Sequence, residues 1–137
     1  LKINYIHGNI EEIKLSKKFD LIIMFEILEH LNDWDSFLLK IKRNLKHNGL
    51  VIISTINRNI ISKYTAIFLA ENILKWIPKG THTYEKFIKP NEIYEFMSNN
   101  GFKLKNLNGL IFSPLDLSWK LSKNTKVNYF CSYKFIN

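Results

Sequence analysis

The stretch FDLIIMFEILEH, residues 19–30, places three side chains that can bind protons or metals directly after an apolar segment. The first seven residues are almost continuously apolar and of strand length, as in a strand whose two faces are both covered by helices. Glu26, Glu29 and His30 follow at once. Because ligands of open α/β folds bind beyond the carboxyl ends of the strands, we expect a functional site here.

The next residues predict a helix and then a second buried strand. Apolar side chains recur at helical spacing across residues 33–49, with Asp33 or Asp35 available to cap the start and Gly49 suited to a left-handed stop. LVIISTI, residues 50–56, is another buried strand. Strand, helix and strand joined by short connections form a βαβ crossover with parallel strands.

Further elements are predicted on both sides of this crossover. INYI, residues 3–6, is a strand candidate, followed by a turn at Gly8 and Asn9 and a short helix near Glu11 and Glu12. The order of strands and helices predicts an α/β fold.

The later part of the chain predicts a long helix, a short helix and two strands. Apolar residues recur at roughly helical spacing among lysines in residues 57–80, and residues 81–89 form a loop. Residues 90–102 predict a short helix, with proline near its first turn and glycine just past its end. Residues 103–112 and 127–135 are strands that we expect to pair as an antiparallel hairpin at the sheet edge. One face of the last strand is predicted to hold Val127, Tyr129, Cys131 and Tyr133.

Composition limits the class of protein without choosing its partner. A chain of 137 residues, 46% of them apolar, is expected to form one domain over residues 1–137. The formal net charge of +8 suits nucleic acid, anionic lipid or anionic small molecules, or reflects only lysine-rich residue usage. Nucleic acid is not the expected partner, since no basic patch interleaved with stacking aromatics stands out.

The location of the protein is predicted from its cysteine content and apolar runs. Cys131 is the single cysteine and cannot form an internal disulfide, which fits a reducing compartment. No signal peptide opens the chain, and no apolar run is long enough to span a bilayer. We therefore expect a cytoplasmic protein, in peripheral contact with the inner face of the membrane at most. The first residue, Leu1, is not Met, and we expect a fragment of a longer protein.

Four sequence segments carry a resemblance to a known family. They are FDLIIMFEILEHLNDW (19–34), NGLVIISTINRN (48–59), PKGTHTYEKFIKPNEI (78–93) and VNYF (127–130). Together they resemble the ubiquinone-biosynthesis O-methyltransferases, which methylate polyprenylated catechols and a demethylated quinol with S-adenosylmethionine. STINRN and PKGTH…KFIKP are the more specific strings, because many methyltransferases share the first segment.

The resemblance implies a class I S-adenosylmethionine-dependent methyltransferase fold, a Rossmann-like sheet of seven strands. The family places a glycine-rich cofactor loop after the first strand and an acidic residue for the ribose after the second. The five glycines of this chain form no G-x-G pair. We therefore expect the chain to lack the cofactor loop, and the acidic residue as well. Leu1 falls near the family's third strand, so we expect INYI to lack its neighbour and FDLIIMF to expose one edge, where association with another chain is favoured.

The resemblance also implies roles for the residues after the first buried strand. Glu26, Glu29 and His30 become candidate ligands of a magnesium ion, which would lower the pKa of a catechol hydroxyl and orient its oxygen. His30 is alternatively the general base that takes the phenolic proton. The plain alternative is that the two glutamates are solvated carboxylates at a helix start, where negative charge is favoured anyway.

Cofactor contacts follow in the same way. Phe25 occupies the position at which the family contacts S-adenosylmethionine, and Gly8, Asn9 and Ile10 are expected to line the adenine pocket. The alternative for these last three residues is an ordinary tight turn.

Residues 57–89 form an insertion that is either a substrate lid or a membrane-contact helix. Aromatic and lysine side chains at helical spacing suit an anionic lipid surface, which an enzyme acting on an isoprenoid tail must meet. Those side chains are Lys63, Tyr64, Phe68, Lys75, Trp76 and Lys79. Lys79, Thr81 and His82 are expected near the mouth of the site.

Two functions remain open at this point. The first is an O-methyltransferase of ubiquinone biosynthesis, with a polyprenylated phenol or quinol as substrate and other enzymes of that pathway as partners. The second is a non-catalytic, lipid-associated binding module.

Overall fold

The computed structural model describes residues 2–65, 83–113 and 118–136 and confirms the α/β class. Two short 3-10 turns lie at Leu28–His30 and Tyr84–Lys86, and the strands form one mixed sheet. Its strands are β1 (Phe19–Phe25), β2 (Leu45–Ile56), β3 (Phe102–Ser113), β4 (Ser118–Ser122) and β5 (Asn128–Phe135). The helices are α1 (Trp34–Arg43), α2 (Ile60–Ser62) and α3 (Pro90–Asn99).

The strand order within the described part of the chain is β1-β2-β5-β3-β4. β1 and β2 are parallel and α1 connects them, so the predicted βαβ crossover is confirmed. β5 runs antiparallel to both β2 and β3, and β4 runs antiparallel to β3. The carboxyl ends of β1 and β2 therefore lie side by side, at the same end of the sheet.

The predicted helix over residues 33–49 is too long. Asp33 caps α1 by accepting a hydrogen bond from the Ser36 amide at 3.2 Å, but the helix ends at Arg43. The Asn44 side chain donates to the carbonyls of residues 15 and 17 at 2.7 and 3.1 Å, and the next residue already starts β2. The left-handed backbone predicted at Gly49 belongs instead to Asn48, whose φ is 63°.

Gly49 has a steric role in place of the predicted helix stop. A Cβ atom at this position would lie 2.8 Å from Leu45 Cγ and 2.9 Å from the Lys46 carbonyl oxygen. The close approach arises where the β1–β2 register jumps from the Phe19–Leu45 pair to the Leu21–Leu50 pair. Glycine is therefore required by the bulge that opens β2.

The amino-terminal strand prediction is wrong. INYI, residues 3–6, forms no strand, and Ile3, Tyr5 and Ile6 are exposed. An isolated apolar segment of this length has no ladder partner among the described residues and so stays extended and solvated. The turn after Gly8 is confirmed, but the short helix is only a turn, in which the amides of Glu12 and Ile13 donate to the Asn9 carbonyl at 3.0 Å.

Predictions for the carboxyl-terminal half hold except at the sheet edge. α3 begins at Pro90, and Gly101 lies just beyond its end with a φ of 82°. β3 and β5 pair antiparallel as predicted, and the face of β5 that holds Tyr129, Cys131 and Tyr133 is the buried one. The pair is not a hairpin at the edge, however, because β4 intervenes in the chain and takes the edge, while β5 is flanked on both sides.

The core covers one face of the sheet. A single buried cluster joins α1 and α3 to the strands, with Met24, Phe37, Leu38, Val51, Ile53, Ile93, Met97, Tyr129, Cys131 and Tyr133 among its members. Leu21, Ile23 and Phe25 on the opposite face of β1 are 44%, 50% and 53% exposed. The sequence predicts that helices cover both faces of this strand. For the described residues, that prediction is wrong.

The predicted insertion over residues 57–89 is described only at its two ends. α2 and the turn after it begin the segment, and residues 66–82 lie outside the described residues. The calls on Phe68, Lys75, Trp76, Lys79, Thr81 and His82 fall there. Among the residues that the structure covers, no helix has the length and apolar character needed to cross a bilayer.

Candidate functional site

Glu26 follows β1 directly and has an unusual backbone. Its φ of 51° lies in the left-handed region, which residues other than glycine rarely adopt and which is enriched at functional sites. Ser54 of β2 accepts a hydrogen bond from the Glu26 amide at 3.1 Å through its hydroxyl, and its Oγ donates to Glu26 Oε1 at 2.8 Å. One serine thus contacts both the main chain and the carboxyl group of Glu26.

Glu29 is the buried member of the acidic pair. Its residue is 3% exposed, and Oε2 accepts a hydrogen bond from Thr55 Oγ1 at 2.8 Å. Oε1 is buried and has no hydrogen-bond partner within the described part of the chain. A buried oxygen without a partner is costly, and its presence beside an acidic neighbour is typical of a ligand site.

Burial and the neighbouring negative charge shift the ionisation of Glu29. Desolvation is the larger cause and the charge of Glu26 the second, and together they raise the pKa of Glu29 to about 8. The hydrogen bond from Thr55 acts in the opposite direction, because it favours the ionised form. Without a bound cation, the folded chain therefore favours the protonated form of Glu29 at neutral pH.

His30 ends the same turn but is not grouped with the two glutamates as a ligand. Its side chain is exposed, and its amide donates to the Ile27 carbonyl at 3.0 Å. Over residues 2–65, 83–113 and 118–136, no cluster of three or more His, Cys, Asp or Glu side chains is arranged to hold a metal ion. The structure brings together two of the three predicted magnesium ligands, Glu26 and Glu29.

The predicted cofactor residues lie near this turn. Phe25 is half exposed at the carboxyl end of β1, with its ring edge-on to Phe130 at a centroid distance of 5.4 Å. Gly8, Asn9 and Ile10 belong to a turn that Glu11 anchors. Glu11 Oε2 accepts a hydrogen bond from Asn32 Nδ2 at 3.3 Å, two residues beyond His30.

Residues 83–89 are attached to the carboxyl end of β2 and to β5. The Ile88 amide donates to the Ile56 carbonyl at 3.1 Å, and the buried hydroxyl of Tyr129 donates to the Ile88 carbonyl at 2.9 Å. Lys63 lies over the Tyr84 ring at 5.0 Å, so the two described ends of the predicted insertion meet. The segment that resembles the family's KFIKP string is therefore fixed at the carboxyl end of the sheet.

The sequence prediction missed Ser54, Thr55 and Tyr129. A signal for the first two was present, since they are polar residues ending an apolar strand that runs parallel to β1. Strands in that arrangement present their last residues at the same edge. Tyr129 had no comparable signal, because in the sequence it is one more aromatic residue of an alternating strand.

Comparisons with known proteins identify the family to which the chain is related. A family model described as a methyltransferase domain matches residues 2–107. The ubiquinone biosynthesis O-methyltransferase of Rickettsia canadensis is 46% identical over 130 residues, which are 95% of this chain and 55% of that protein. The protein of the same name from Pelagibacter ubique is 45% identical over 97% of this chain and 55% of its own length.

A solved structure supports the fold independently of close sequence similarity. The plantazolicin methyltransferase BpumL, crystallised with a triazolic desmethylPZN analogue and S-adenosylhomocysteine, superposes with a TM-score of 0.64 at 14% identity, over all of this chain and 60% of that one. This chain spans about half the length of the curated relatives that it matches. Because the family model covers most of its residues, the chain belongs to the methyltransferase-domain family and has the Rossmann-like fold of class I methyltransferases.

Proposed function

We propose that the protein containing this chain is an O-methyltransferase of ubiquinone biosynthesis. It transfers a methyl group from S-adenosylmethionine to a hydroxyl of a polyprenylated catechol or demethylubiquinol. The observation that carries the proposal is the 46% identity over 95% of this chain to a protein named for that activity. The acidic turn at the carboxyl end of β1, with its buried glutamate, supports a catalytic protein over a binding module.

In this reaction, the substrate hydroxyl must lose its proton as its oxygen attacks the sulfonium methyl. The carbon–sulfur bond breaks, the carbon–oxygen bond forms, and S-adenosylhomocysteine leaves. His30 is our candidate for the base, because its exposed imidazole is at the rim of the turn and histidine serves this role near neutral pH. The remaining acceleration comes from alignment of the two substrates.

The two glutamates supply the oxygen donors that magnesium prefers. The Glu29 Oε1 atom without a partner and the neighbouring Glu26 carboxyl fit a hard cation, while His30 is not arranged with them as a third ligand. A magnesium ion, when bound, would supply positive charge that favours the ionised hydroxyl.

Cofactor and membrane contacts complete the proposal. Phe25 packs against S-adenosylmethionine, and the turn of Gly8, Asn9 and Ile10 lines its adenine pocket, supported by the anchoring of that turn near His30. Residues 57–89 admit the isoprenoid tail from an anionic membrane surface on the cytoplasmic side, which the net charge of +8 favours. Other enzymes of the same pathway are the expected protein partners.

A chimera tests the activity directly. The residues of the Rickettsia canadensis relative that match this chain are replaced by this chain, and methyl transfer to a prenylated catechol is measured. We expect transfer in the chimera and its loss in His30→Ala, while Glu95→Gln on the exposed side of α3 leaves it unchanged. A folded chimera that binds S-adenosylmethionine but transfers no methyl group would contradict the proposal.

A further inference from the structure

The last residues of β2 present two hydroxyl groups to the two glutamates, one each. Ser54 Oγ lies 2.8 Å from Glu26 Oε1, and Thr55 Oγ1 lies 2.8 Å from Glu29 Oε2. The Ser54 hydroxyl also accepts a hydrogen bond from the amide of Glu26 at 3.1 Å, and the backbone of Glu26 is left-handed. Nothing in the predicted ligand set or in the proposed chemistry accounts for these two side chains.

Successive residues of a strand face opposite sides of a sheet, and these two do so. Ser54 is paired with Phe25 on the exposed face of β1, whereas Thr55 is paired with the buried Tyr129 of β5. The acidic turn therefore wraps around the end of β2, with Glu26 held from one face and Glu29 from the other. Both carboxyl groups nevertheless lie at the same end of β2, because the two hydroxyls that hold them belong to adjacent residues.

Holding two carboxyl groups together in a buried site is unfavourable unless each is fixed by donors. Thr55 is fully buried and Ser54 is 2% exposed, so water does not replace either hydroxyl at low cost. Loss of the Thr55 hydroxyl would leave both Glu29 oxygens without a hydroxyl donor from β2. The distance and orientation of the carboxyl pair thus depend on the two β2 side chains.

We propose that Ser54 and Thr55 are positioning residues that set the geometry of the Glu26–Glu29 carboxyl pair. The two hydroxyls orient one carboxyl group each and keep Oε1 of Glu29 directed away from Thr55. This inference deepens the proposed function and rests on it insofar as the carboxyl pair belongs to the methyl-transfer site. The four side chains involved, those of Ser54, Thr55, Glu26 and Glu29, all belong to this chain.

The first test reads the geometry without substrate. Carbon-13 NMR of this chain with labelled glutamate gives the side-chain carboxyl resonances of Glu26 and Glu29. We expect Thr55→Val to shift the Glu29 resonance and Ser54→Ala to shift that of Glu26. Thr55→Ser and Ser54→Thr keep the hydroxyl and should restore the wild-type shifts. Ser122→Ala removes a hydroxyl that accepts the Asn124 amide on distant β4, and it should leave both resonances unchanged.

The second test uses the active chimera. Thr55→Val should lower kcat about tenfold with the KM for S-adenosylmethionine retained, and Thr55→Ser should recover most of the loss. The inference is overturned if the Val and Ser variants behave alike in both measurements, or if the Ala and Val changes leave the carboxyl resonances in place. Should Thr55→Val fail to fold, Ser54→Ala against Ser54→Thr decides by the same two readouts. An inactive chimera, together with the expected carboxyl shifts in the Ser54 and Thr55 variants of this chain, contradicts the proposed function alone.

Discussion

At the scale of single residues, Glu29 makes the folded chain sensitive to pH. Burial and Glu26 raise its pKa from 4.5 to about 8, so the folded chain holds this proton at pH values where the unfolded chain has released it. The stabilising contribution of protonated Glu29 is therefore full below about pH 4.5 and is lost as the pH rises through 8. The ionised form is the one that the fold disfavours.

Replacement of Glu29 by glutamine should remove this sensitivity. The amide keeps an oxygen for Thr55 and gains a donor toward Glu26, without a charge. Above pH 8, we expect Glu29→Gln to unfold at a higher urea concentration than the wild type, with a free energy of unfolding that is larger by about 1 kcal/mol or more. The difference should be smaller in acid. Glu95→Gln, an exposed carboxylate on α3, is the matched control. An unchanged pH profile of stability in Glu29→Gln would exclude this account.

Cys131 should be unreactive until the chain unfolds. The side chain is buried in the core, and burial raises the pKa of its thiol to about 12, so little thiolate forms at mildly alkaline pH. We expect no reaction with a disulfide reagent at pH 8 in the native state, and one thiol per chain after denaturation. Rapid reaction in the native state would show that β5 is not buried as described.

At the scale of elements, sequence pattern predicted what depends on local periodicity. β1, β2, α3, β3 and β5 were predicted because their apolar spacing and end signals are local. The same reasoning failed for residues 3–6, since a strand requires a partner that the pattern does not contain. It also failed at Gly49, where a bulge and not a helix end requires glycine.

The same distinction applies to the candidate site, where some residues follow from the local sequence pattern and others depend on the fold. Glu26 and Glu29 were found because they follow a recognisable buried strand. Ser54 and Thr55 were not, because their role depends on which strand lies beside β1 and on the path of the turn around it. His30 ends the 3-10 turn Leu28–His30, but adjacency in sequence does not bring it into a ligand cluster of the described residues.

One of the contacts that hold residues 83–89 at the end of β2 is the buried hydroxyl of Tyr129. Tyr129→Phe removes the donor to the Ile88 carbonyl and leaves a buried oxygen unpaired, so we expect a loss of about 1 kcal/mol in the free energy of unfolding. The Ile88 amide, which bonds to Ile56, should exchange with solvent faster. Tyr94→Phe changes a half-exposed tyrosine and serves as control. Equal exchange in the two variants would mean that the segment is held by packing alone.

At the scale of the whole molecule, the sheet is asymmetric. One face is packed by α1 and α3, while the other exposes Leu21, Ile23 and Phe25 of β1. Among the described residues, β1 also pairs only on its β2 side. An exposed apolar strand at a sheet edge is a template for association. The strand that has the site at its carboxyl end thus has one uncovered apolar face and, among the described residues, one unpaired side.

We therefore expect the isolated chain to self-associate through β1. Ile23→Lys puts a charge at the centre of the exposed face and should shift the sedimentation distribution toward monomer, with little change in melting temperature because the side chain is half exposed. Ile60→Lys, on the exposed start of α2, adds the same charge elsewhere and controls for net charge. If both variants reduce association equally, general repulsion explains the effect. A response confined to Ile23→Lys locates the contact on β1, since only that substitution places a charge on its uncovered face.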